Sequence, residues 1–226
     1  MPTFAILIPA LVGLGLMMLG TLIGIFATAN ATATAERAER LPVFDAAALD
    51  RRALGTEGAI DGRISDRSAP HYQQLVAYTR EEYRGSDEDD DGNTTQRWVE
   101  DLRHTPLVLV EAGRGLVEIR AGYELRSPPH TLQDDEVLFW NGLTGEGTRR
   151  YRGFIAGDAV FAIGRTVAGP EGAQIEAEFL YGGTRAGYIA EQRRTAAATP
   201  WIGALFGVIG LIPLGISAWQ LRRRMR

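Results

Sequence analysis

Residues 200–221 read PWIGALFGVIGLIPLGISAWQL and are followed by RRRMR at 222–226. A helix rises about 1.5 Å per residue, so roughly 20 apolar residues cross the hydrocarbon layer of a bilayer. From Trp201 to Leu221 no side chain is charged. Trp201 and Trp219 stand near the two ends, where amphipathic rings favour the headgroup layer. Pro213 falls inside the stretch and predicts a modest kink, with neighbours re-satisfying the freed carbonyl. The stretch reads as a membrane-spanning helix closed by a basic tail, and the rest of the chain is placed relative to it.

A counterpart stands at the N-terminus. The first charged side chain is Glu36, and Phe4 to Ala27 is an uncharged, mostly apolar stretch. The expected spans are therefore residues 4–28 and 200–221. A cleavable signal peptide is the competing reading of the first one. Its apolar core would be only about 7–15 residues and would follow basic residues. Here the core is longer and no basic residue precedes it, although the small-residue run Ala29 to Ala35 resembles a cleavage site. Either reading leaves the intervening domain on the same side of the membrane. The arginine tail points to a cytoplasmic C-terminus by the positive-inside rule, with the domain extracytoplasmic. Arg193 and Arg194, just before the second span, run against that rule. Gly20 and Gly24 in the first span, and Gly203 and Gly207 in the second, have the spacing that lets helix backbones approach closely. They are the candidate helix-packing residues, for pairing of the two spans or for dimerisation.

Composition narrows the chemistry. All 24 basic residues are arginine, a pattern of GC-rich coding, and the expected location is a bacterial plasma membrane. Without lysine there is no Schiff base and no P-loop lysine. Without cysteine there are no disulfides, no thiolate nucleophile and no cysteine zinc site. Four arginines lie in the tail, while all 28 acidic residues lie between the two spans. The region between them is strongly acidic, opposite in sign to a nucleic-acid binder. No cofactor is expected.

Between the spans the pattern predicts a connector at 29–56, a β-rich domain at 57–183 and a helical connector at 184–199. Asp45 suits an N-cap before Ala46 to Leu54, with Gly55 as a stop, predicting a short amphipathic helix. Strands are predicted over Gly58–Ile64, Gln73–Tyr83 and Gln96–Leu102, the last with Trp98 as a core anchor. Pro106–Val110 and Leu116–Ile119 flank the turn Ala112-Gly113-Arg114-Gly115, the clearest hairpin in the chain. Residues 124–147 read as a loop holding a short strand or helix. Strands follow over Thr148–Phe154, Ala159–Gly164 and Gln174–Tyr181, and a helix over Thr184–Arg194. Many short strands punctuated by glycine point to a small β-barrel or sandwich between two transmembrane helices.

Candidate chemistry is sparse. Asp87, Asp89 and Asp91 followed by Gly92 reproduce the first half of an EF-hand loop and form a candidate calcium loop. The twelfth position is Trp98 instead of glutamate, and the flanks read as strands, so a solvated hairpin tip explains the run more simply. His71 lies near Ser68 and Asp66, a triad only by composition, since no nucleophile-elbow pattern is present. No catalytic residue is expected. A membrane-bound hydrolase is the second alternative function.

The order of these pieces resembles the GIDE or beside-a-membrane (BAM) domain of membrane-embedded RING-type E3 ubiquitin ligases and prokaryotic relatives. Gly58–Ile64, Val76-Ala77-Tyr78, Trp98, the hairpin Leu107–Ile119 and Tyr151–Gly164 match its strands in order. Glu111 stands where an aspartate is usual. The resemblance implies a β-domain between two spans. It also implies a place in a protein-ubiquitination system as the first alternative function. The ligases bind zinc in a RING through cysteine and histidine, and a chain without cysteine lacks that chemistry. The leading expectation is a non-enzymatic module that binds membrane lipid and a protein partner or a second copy of itself. Its candidate contact residues are Asp87, Glu88, Asp89 and Asp90 at the acidic tip and Arg149, Arg150 and Arg152 on a membrane-proximal face.

Overall fold

The computed structural model describes residues 4–49, 51–135, 137–170 and 172–224. The chain divides into a helical unit built from both ends and a β-rich unit, residues 41–188.

In the helical unit, α1 (Phe4–Arg40) and α3 (Arg185–Arg224) are 37 and 40 residues long. At 1.5 Å per residue each exceeds the roughly 30 Å hydrocarbon layer. Both are apolar and long enough to cross a membrane. Of the connector expected at 29–56, residues 29–40 continue α1 instead, and the helical connector expected at 184–199 runs unbroken into α3. Their burial pattern explains why. On α1 the protected positions Gly13, Met17, Gly20, Gly24, Ala27, Ala31, Ala35 and Ala38 recur every three or four residues. On α3 the matching series is Gln192, Ala196, Thr199, Gly203, Phe206 and Gly210. That 3.5-residue period is a coiled-coil seam, and it runs through the Ala/Thr-rich segment that lacks apolar bulk. The helices are antiparallel: Gly13 faces Gly210, and both Gly20 and Gly24 face Gly203. Pro200 and Pro213 lie inside α3 without ending it, and Ser217 Oγ donates to the Pro213 carbonyl at 2.9 Å. At the polar end Arg193 pairs with Glu39 at 2.5 Å.

The β-rich unit begins with α2 (Ala46–Leu49), shorter than the helix expected over 46–54, and continues with β1 (Glu57–Ile64), β2 (Leu75–Glu88), β3 (Thr94–His104), β4 (Val108–Ala112) and β5 (Gly115–Ile119). Then come β6 (Glu124–Arg126), β7 (His130–Gln133), β8 (Trp140–Asn141), β9 (Glu146–Gly147), β10 (Arg149–Ile155), β11 (Ala159–Ala168) and β12 (Ala173–Gly182). Five strands close a barrel in the order β11-β1-β4-β5-β12, with β12 returning to β11. Every pair is antiparallel except β5 and β12. Counting only barrel strands, the order is 1-2-3-5-4 with 3 and 5 parallel.

A second sheet, β3-β2-β10-β7, is built wholly from segments inserted between barrel strands. A two-stranded ribbon, β8-β9, sits beside β2. Trp98, expected as a core anchor, lies on edge strand β3, outside the barrel, against Tyr83 and under Arg150.

The barrel interior gathers Ile60, Ile64, Val110, Val117, Phe154 and Ile175 among others, with Phe44 and Leu49 joining from the preceding segment. Asp45 caps α2 as expected, accepting from the Ala48 N–H at 2.7 Å. Just before it, the Phe44 N–H donates to Ala59 and the Ala59 N–H to Pro42. This zips residues 42–44 along β1. A Cβ on Gly58 would overlap the Phe44 ring, so glycine here makes room for that ring. Tyr188, at the start of α3, packs among Phe161, Phe179 and Tyr181.

Candidate functional site

The acidic tip caps the β2–β3 hairpin. Asp89 closes the turn on itself: its Oδ1 accepts from the N–H groups of Asp91 and Asn93, and its Oδ2 from the Asn93 side chain at 3.0 Å. The Asn93 side-chain hydrogen bond, then the backbone bonds, hold the Asp89 carboxyl below its ordinary range. Gly92 takes φ 80°, which the turn needs. Asp89 thus serves the turn. Among the described residues no group of three or more His, Asp or Glu is arranged to hold a metal ion. Asp87 and Glu88 lie in the last residues of β2 and Asp90 in the turn, all exposed.

Arg149, Arg150 and Arg152 do not form an open basic patch. Antiparallel pairing of β10 with β2 sets Arg149 opposite Glu82 and Arg150 opposite Glu81. Arg150 Nε bonds Glu81 at 2.5 Å, and Arg152 reaches the same carboxylate at 3.8 Å. Arg149 approaches Glu82 at 3.7 Å. These charges lean on carboxylates of β2, while Arg149 and Arg152 keep 40% and 41% of their side-chain surface exposed. Glu82 is buried and also accepts from the Gly147 N–H at 3.1 Å and pairs with Arg84 at 2.6 Å.

The composition-only triad is also dispersed. Ser68 is buried, with its Oγ donating to the Leu109 carbonyl and accepting from the Leu109 N–H. His71 lies edge-on to His104, with ring centroids 4.5 Å apart. His104 also packs against Tyr78, and its buried Nε2 has no hydrogen-bond partner among the described residues. Burial first, then the neighbouring His71, lowers the His104 pKa below its ordinary 6.5. Because the unfolded chain takes up the proton first, stability from a neutral His104 is complete above about pH 6.5. It is lost as pH falls through the lowered folded value. Thermal melts from pH 8 to 5 should show this decline, and His104→Phe should flatten it. An unchanged slope in that variant would place the acid sensitivity elsewhere.

Of the candidate helix-packing residues, Gly20, Gly24 and Gly203 meet. Gly207 does not: a Cβ there would touch nothing within 4 Å. It lines an open groove of about 630 Å³ with Gly24, Thr28, Pro200 and Ala204. Gly210, one turn-related seam position on, takes the packing role, against Gly13 and Met17.

Sequence reasoning missed one surface. Beside the acidic arm, the β8–β9 ribbon and the segment before it present Val137, Phe139 and Leu143 to solvent, Leu143 at 98% exposure. Arg84 stacks over Trp140 at 4.2 Å and holds the ribbon to β2. The signal available was the run Val137 to Trp140 between glycine-rich flanks, which reads equally well as a buried strand. Compared with protein-family models, with curated proteins and with solved structures, the chain matches none of them.

Proposed function

We propose that this chain is a two-span membrane protein that presents its barrel domain on the extracytoplasmic side as a binding or assembly module, with no chemistry of its own. One observation carries the reading. The helical hairpin turns its small residues inward and its bulk outward: Leu11, Met18, Phe26, Trp201, Val208 and Trp219 are all exposed. A soluble two-helix coil does the reverse, and lipid is the surrounding that makes this arrangement favourable. The resemblance of the sequence segments, in their order along the chain, to beside-a-membrane domains belongs to the same proposal. The exposed Val137, Phe139 and Leu143 give the module an apolar contact surface of the kind that marks protein or membrane interaction sites.

The absence of cysteine supplies the test. The chain should remain in membranes after alkaline carbonate washing. Ser86→Cys should react with a membrane-impermeant thiol reagent in intact cells, whereas a cysteine added to the tail should react only after lysis. Release by carbonate would overturn the membrane reading, and labelling of the tail alone would invert the orientation.

A further inference from the structure

Strand β3 is the open edge of the second sheet, with β2 on one side and, among the described residues, no strand on the other. It is eleven residues long, and nine of them are exposed. Val99 is 44% exposed. A long free edge offers unpaired backbone groups to another strand, and natural edges are commonly guarded by charge. The charges on this edge are of mixed sign: Arg97, Glu100, Asp101 and Arg103.

We propose that β3 pairs antiparallel with β3 of a second copy, with Val99 opposite the partner's Val99. This deepens the module reading above and rests on it. Charge chooses the register. A two-fold axis perpendicular to a sheet must set a residue opposite its own copy, because neighbouring side chains alternate between faces. Centring on Arg97 or on Glu100 sets like charges face to face, which is unfavourable. Centring on Trp98 brings no opposite charges together. Centring on Val99 sets Arg97 opposite Asp101 twice, whereas centring on Leu102 would match Asp101 with Arg103 from opposite faces, since Arg103 lies opposite Thr79. Arg97, Val99 and Asp101 share a face. Glu82 lies opposite Val99 and Arg80 opposite Leu102, and the pairing shifts by one residue at Asp101. Asp101 then bonds Arg80 through both carboxylate oxygens, at 2.8–3.2 Å, which sets it on Arg80's side of the sheet. Arg80 thereby holds the Asp101 carboxylate in place, ready for an arginine from across the axis. Each new strand pair adds backbone hydrogen bonds along the edge, the mode of recognition known as β-augmentation.

Directly opposed residues in an antiparallel pair have Cα atoms about 4.5–5.5 Å apart, within disulfide range. Full-length chains carrying single cysteines would be oxidised in native membranes. Val99→Cys should shift to dimer size on a non-reducing gel. Trp98→Cys and Gln96→Cys should stay monomeric. Arg97→Asp should abolish the Val99→Cys dimer, and adding Asp101→Arg should restore it. Equal cross-linking at every position, a dimer centred elsewhere, or none at Val99 would overturn the pairing. Carbonate retention and Ser86→Cys labelling are read independently, so failure here leaves the module reading standing.

Discussion

Replacing Phe44 with alanine is expected to lower the unfolding free energy of the barrel by about 3–5 kcal/mol, the cost of removing an aromatic ring from a packed core. The ring is 1% exposed and belongs to the main core, yet it comes from outside the barrel strands. It reaches in because residues 42–44 hydrogen-bond along β1 and because Gly58 has no Cβ to obstruct it. Gly58→Ala should cost about 1–3 kcal/mol by overpacking. The two changes touch the same space, so Gly58→Ala should cost much less once Phe44 is alanine. Urea unfolding of the full chain in detergent, followed by tryptophan fluorescence, would give the four corners of the cycle. Additive losses would mean that the ring and Gly58 do not meet, and that the barrel end is closed some other way.

What could be read from the chain was local. Asp45 announces its cap, Gly113 its turn, and the charge-free runs their helices, because each depends on residues a few positions apart. What could not be read depended on distant partners. Barrel closure joins Glu57 to Arg165 and Ile119 to Ile175, and no local period encodes those pairings. The helical state of residues 29–40 was hidden for the same reason. Ala31, Ala35 and Ala38 are too small to form an apolar stripe on their own, and they become core only opposite α3. Trp98 misled by its size: a large ring on a two-sided edge strand packs on one neighbour and a guanidinium instead of a core. The arginines at 149, 150 and 152 looked like a surface for lipid or a partner because their acidic partners lie about seventy residues earlier, at 81 and 82. Only the β2–β10 register brings the two groups together. The ribbon beside the acidic arm thus joins the arginines and the acidic tip as a candidate contact surface.

The second large effect is expected at Glu82. Its carboxylate ties three elements: Arg84 of its own strand, Arg149 of β10 and the Gly147 N–H of the ribbon. Glu82→Ala would remove an acceptor from a half-buried N–H and a counter-charge from two arginines. Breaking a fully buried pair costs about 3–5 kcal/mol. Arg84 and Arg149 keep 30% and 40% of their side-chain surface exposed, so water takes over part of their solvation and about 2–3 kcal/mol is expected here. Glu82→Gln keeps an oxygen for Gly147 and loses only the charge, so its cost should be about 1–2 kcal/mol. The loss should also be local. Arg84 stacks on Trp140 from one side while Glu82 holds Gly147 from the other, so the ribbon should loosen before the barrel does. Limited proteolysis should then cut Glu82→Ala first within residues 137–147, leaving the barrel intact. The same variant should weaken any contact made through Val137, Phe139 and Leu143, although Glu82 itself is buried beneath that surface. A uniform loss of protection across the barrel would show instead that the ribbon and barrel unfold as one unit, and that the apolar surface is as rigid as the core beneath it.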